Sequence, residues 1–182
     1  MRTAWLWLAA LPLLAGCPIA QPLVEISKTR VPPPRIINDA TLTPAGTFTP
    51  YDPTCPTAQS FPVAAVLGDD NTEDVDDYRW FADYRPDLQS RYLPLDQGTL
   101  GPPAAPPLDR RPVPAFTFRP ADFDAGTPAT HVLELVVSNG FVPGDQTAQE
   151  ALPLPYRTPD PLHEVQAFRW VFVPVPGSGG CP

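Results

Sequence analysis

Proline sets the first limit on what this chain can fold into, at 29 of 182 residues. Its ring lacks a backbone N–H and clashes with the preceding turn of a helix, so a proline-dense chain cannot sustain long helices. Strand starts and sheet edges tolerate it. Beyond residue 17 the chain is therefore expected to form short strands joined by proline-stiffened loops.

Side-chain alternation locates those strands. Phe61 to Leu67 reads as one buried strand opened by Pro62. Over 78–84, Tyr78, Trp80, Ala82 and Tyr84 alternate with Arg79, Phe81 and Asp83, the period of two that a pleated strand imposes. Further short strands are expected over 35–42, 91–95 and 113–119, the last with Phe116 and Phe118 on one face. His131 to Ser138 alternates most clearly: Leu133, Leu135 and Val137 against Val132, Glu134 and Val136. Asn139-Gly140 behind it is a turn signal. The last strand covers 165–175, with Phe168, Trp170 and Phe172 together. Residues 43–60 and 98–112 read as loops. Many short strands with few helices define an all-β sandwich or barrel.

Two stretches narrow this further. DVDDYRWFADY, followed much later by DAGTPATHVLELVVSNG, resembles the polycystic-kidney-disease and related immunoglobulin-like modules of exported proteins. There an aromatic-x-Trp strand precedes a Gly-x-His-x-Leu-x-Val-like strand. The likeness covers about 61–140, and Phe81-Ala82-Asp83-Tyr84 replaces the family's Trp-x-Phe-Gly-Asp-Gly turn. It implies an immunoglobulin-like two-sheet sandwich with long Pro-rich loops over 36–182 and transfers no catalytic residue.

In such sandwiches the third, sixth and seventh strands share a sheet, with the sixth in the middle. Assigning them to 78–84, 131–138 and 165–175 turns Tyr78, Trp80, Leu133, Leu135, Phe168 and Trp170 inward, because that choice buries both tryptophans. Arg79, Glu134 and Arg169 must then point outward, with one carboxylate between two guanidiniums. Phe81, Val132, Val136 and Val171 share that outer face. Either the 98–112 loop or the N-terminal segment covers it, or it docks another envelope component through Arg79, Phe81, Glu134, Arg169 and Val171.

The N-terminus supplies an address. Arg2 precedes an uncharged apolar run from Ala4 to Ala15, shorter than the roughly 20 residues that span a bilayer. Leu14-Ala15-Gly16-Cys17 closes it and resembles the lipobox of bacterial lipoprotein signal peptides. The resemblance implies removal of 1–16, acylation of Cys17 and anchoring in a membrane, with 17–35 as a proline-rich spacer. Pro18 stands where enteric members kept in the inner membrane carry Asp, which favours the outer membrane. An ordinary secretory signal is the alternative. In an oxidising compartment the remaining cysteines, Cys55 and Cys181, are expected to pair, closing a long loop at about 4–5 kcal/mol. Two free thiols are the alternative.

Chemistry is sparse. The net charge of −8 argues against nucleic acid. His131 and His163 are the whole histidine supply, too few with a paired Cys55 and Cys181 for a zinc site. Phosphate loop, dinucleotide fingerprint and nucleophile elbow are all absent from the sequence. The acidic run Asp69, Asp70, Glu73, Asp74, Asp76 and Asp77 begins like an EF-hand with Asp69, Asn71 and Glu73. Asp74 then occupies the glycine position, and Trp80 the position of the bidentate Glu. A solvated charge run is the simpler reading, a different calcium loop the alternative. No metal, cofactor or catalytic group is expected. The leading expectation is a non-enzymatic, lipid-anchored envelope module that binds or builds. A calcium or glycan binder and a hydrolase with a carboxylate-based site are the rivals.

Overall fold

The computed structural model describes residues 33–55, 59–85, 93–105, 107–124, 127–141, 159 and 162–177. These are all-β. The strands are β1 (Arg35–Ile36), β2 (Phe48–Tyr51), β3 (Phe61–Val63), β4 (Val66–Gly68), β5 (Asp76–Ala82), β6 (Asp96–Leu100), β7 (Arg110–Pro112), β8 (Phe116–Phe118), β9 (His131–Ser138) and β10 (Gln166–Pro174). A single 3-10 turn, Pro120–Asp122, is the helical element among the described residues.

One layer is a five-stranded sheet in the order β2-β10-β9-β5-β6, antiparallel except for the parallel pair β2 and β10. Facing it are the sets β1-β4-β7 and β3-β8. Trp80 packs on Phe116 and on Trp170, each at 5.6 Å between ring centroids, and Phe118 lies 4.4 Å from Phe172. Val63, Leu67, Leu133 and Leu135 fill the same core. The alternation expected for the three central strands holds, and both tryptophans are fully buried on one face.

Several boundaries differ from the sequence reading. The strand expected over 61–67 is two, β3 and β4, paired with β8 and β7. Residues 64 and 65 lie across from 113, 114 and 115, so the partner strand carries one extra residue, the mark of a β-bulge. β2 lies inside the stretch read as a loop. Its short Phe-Thr-Pro-Tyr run leaves Phe48 72% exposed and carries no apolar alternation to announce it. β6 likewise lies where a strand over 91–95 and a loop from 98 were expected. It is an edge strand with few apolar side chains, built for close approach instead. A Cβ added at Gly98 would stand 2.8 Å from the Tyr78 hydroxyl, because the Tyr78 ring lies over that glycine. β5 stops at Ala82 because Asp83 adopts φ 46°, a left-handed conformation that Asp tolerates better than bulky residues.

Candidate functional site

The outer face of the five-stranded sheet carries the residues singled out for docking. Register sets Arg169 directly opposite Glu134, and Arg169 Nε donates to Glu134 Oε1 at 3.0 Å. On the other side Phe81, not Arg79, stands across from Glu134. Arg79 lies opposite Val136, with its guanidinium 4.0 Å above the Phe141 ring. Glu134 therefore has a guanidinium directly across from it on the β10 side, while Arg79 stands two rungs away on the β5 side of the same face, in a cation–π contact.

Nor is this face bare at its centre. Phe81 and Val136 are buried with Phe141 in a small second core, and Tyr84 packs against it. Tyr84 follows β5 and Phe141 follows β9. Tyr84 and Phe141 thus cover the centre from the strand ends. Phe81 cannot serve as an exposed docking residue. Arg169 is exposed, Val132 and Val171 are half-buried, and a groove lined by Asp83, Arg85, Thr130, Val132, Glu134 and Arg169 opens beside them.

The acidic run is folded around an arginine. Arg111, on β7, is buried, and its Nη1 donates to the Asp76 carboxylate at 2.7 Å and to the Asp74 carbonyl at 2.6 Å. Its Nη2 donates to the Asn71 carbonyl at 3.0 Å and lies 3.5 Å from Asp69 Oδ2. The guanidinium therefore takes one carboxylate oxygen and two carbonyls of the acidic run, while Asp69 Oδ2 and Asp76 Oδ1 stay buried without a donor. Among the described residues, no three His, Cys, Asp or Glu side chains are grouped to hold a metal ion. Burial pushes the Asp76 carboxyl up to about 7 against the opposing pull of Arg111, and the negative charges of Asp69 and Asp74 add to the rise.

A second ionic cluster surrounds His131, which is buried at the start of β9. Its Nδ1 lies 2.7 Å from Asp83 Oδ2 and its Nε2 2.9 Å from Asp124 Oδ1. Asp83 Oδ1 also accepts the Val132 N–H at 2.7 Å. Asp124 Oδ1 accepts the Ala129 N–H at 2.9 Å and shares the one Tyr51 hydroxyl proton, at 3.0 Å, with the Ala129 carbonyl, at 2.8 Å. Burial raises the Asp124 carboxyl, but these hydrogen bonds together outweigh it and hold the group below the usual carboxylate value. Burial beside the Asp124 charge pushes the Tyr51 hydroxyl up to about 12. His131 is the hydrogen-bonded packing residue expected at the head of a core strand, and its partners Asp83 and Asp124 leave no local pattern in the sequence. Arg111 was missed because it lies in a stretch read as loop. Its one signal was a charged pair, Arg110-Arg111, held between Asp109 and Pro112.

Cys17 and Cys181 lie outside the described residues, as do 1–16 and most of the spacer. Cys55 is disulfide-bonded, and its pairing with Cys181 stays an expectation. The described residues contain no helix long and apolar enough to cross a membrane. Compared with known proteins, the chain matches no family model and no curated protein.

Proposed function

We propose that this chain is a lipid-anchored protein of the bacterial envelope whose immunoglobulin-like sandwich binds a partner or serves a structural role, without chemistry of its own. The observation that carries this reading is Leu14-Ala15-Gly16-Cys17 at the end of a short apolar segment. Strand order supports the finer fold assignment. β1 and β2 act as two halves of a first strand, one antiparallel to β4, the other crossing to run parallel to β10. β9 then lies between β5 and β10, as the sixth strand lies between the third and seventh.

The displaced carboxylates favour binding over hydrolysis. A carboxylate-based hydrolase needs two such groups with separated pKa values in one cleft. Asp76 and Asp124 are displaced in opposite directions, but they belong to separate clusters tied to Arg111 and to His131. The partner surface is the charged groove beside Arg169, in place of the covered centre at Phe81.

Cys17→Ser should move the protein from the membrane to the soluble fraction. A variant that still pellets with membranes ends the anchor reading. Cross-linking in intact envelopes should capture a partner that Arg169→Glu loses and Leu108→Ser, at the exposed approach to β7 in the facing layer, retains. Equal capture by both removes the groove from the account.

A further inference from the structure

The cluster at the start of β5 has an imbalance that Arg111 does not cure. Asp69, Asp76 and Arg111 are 5%, 0% and 2% exposed. Two carboxylates against one guanidinium leave a net negative charge in a buried site, which is costly in a low dielectric. Each carboxylate uses one oxygen well: Asp69 Oδ1 accepts the Asn71 N–H at 2.9 Å, and Asp76 Oδ2 accepts from Arg111. The other two, Asp69 Oδ2 and Asp76 Oδ1, are buried without a hydrogen-bond donor. The two side chains are within hydrogen-bonding reach of one another. One proton would supply the missing donor, join the carboxyls by an O–H···O bond and bring the triad to neutrality.

We propose that Asp69 and Asp76 share a single proton above Arg111, forming a latch between the two sheets that loosens as the proton leaves. Asp76 belongs to the five-stranded sheet, and Arg111 to the layer facing it. Among the described residues the surroundings offer no second buried cation. Asp74 turns its carboxylate to the Asn71 and Asn139 side-chain amides, and Asp77 is the next residue on β5. Linkage gives the direction. A folded-state pKa raised from 3.8 to about 7 contributes stability that is full below 3.8 and is lost as pH rises through about 7.

The test compares thermal midpoints at pH 5 and pH 8 for the full chain, Asp76→Asn and Asp69→Asn. The wild type should melt about 5 °C or more lower at pH 8. Either amide replaces the shared proton with a permanent N–H donor, so both variants should be less pH-sensitive, and at pH 8 at least one should match or exceed the wild type. A wild type with no fall between the two pH values overturns the proposal. So does a slope unchanged in both variants, or failure of both to fold at pH 5. An ordered water bridging two ionised carboxylates would give that unchanged slope.

Discussion

Two clusters of charge, one fully buried and one half-buried around a buried histidine, lie at opposite ends of β5, and they handle the same problem differently. At its start, Asp69 and Asp76 face Arg111, and two carboxylate oxygens receive no hydrogen bond. Just past its end, Asp83 and Asp124 bracket His131, and each carboxylate also accepts a backbone amide, Asp83 from Val132 and Asp124 from Ala129. Both clusters set two acids against one basic side chain. They differ in burial, complete for Asp69 and Asp76 and partial for Asp83 and Asp124, and in supply of donors: the second adds the Val132 and Ala129 amides and the Tyr51 hydroxyl. Buried carboxylates are eased by the hydrogen bonds they accept, and counting opposite charges alone would not separate these two sites.

The difference has opposite pH signatures. Asp76 is raised, so its contribution is full below 3.8 and lost as pH climbs through about 7. Asp124 is lowered, so its contribution is present above 3.8 and lost as acid carries the pH below its depressed value.

Removing each basic group tests the contrast most severely. Arg111→Met should cost about 3–5 kcal/mol in urea unfolding at pH 7, because it strands two buried carboxylates and unpairs two carbonyls. Asp76→Asn in the same chain should recover part of that loss, since the two sites are coupled. His131→Phe should cost less, about 1–3 kcal/mol, because Asp83 and Asp124 keep their amide donors. The reverse ranking would break the donor argument. Tyr51→Phe should cost about 1 kcal/mol. In the wild type, spectrophotometric titration should show one tyrosine ionising near 12. Arg169→Ala should have the smallest effect, at most about 1 kcal/mol, because Arg169 is 62% exposed and its ion pair with Glu134 is partly screened by water.

The sequence disclosed the parts of the fold that periodicity controls. Trp80, Leu133, Leu135 and Trp170 declared their common face, because one register buries all four. It concealed what depends on edges and long-range meetings. Phe48–Tyr51 and Asp96–Leu100 pair at the rims of the sheet, where no alternating core face is required. Arg111 reaches Asp76 across 35 residues, and Tyr51 reaches Asp124 across 73. Neither meeting leaves a local pattern. Glu134 stands opposite Arg169 as expected, but Arg79 lies two residue pairs from the Glu134 rung, because strand periodicity fixes the face and leaves the offset to the ladder.

The most direct measurement of the central claim is a carboxyl-carbon NMR titration of Asp76 and Asp124 in one folded sample. Asp76 should titrate near 7 while Asp124 stays ionised to below 3.8. Two carboxyls titrating together near the ordinary aspartate value would contradict the account, because the clusters would then differ in geometry without differing in energy.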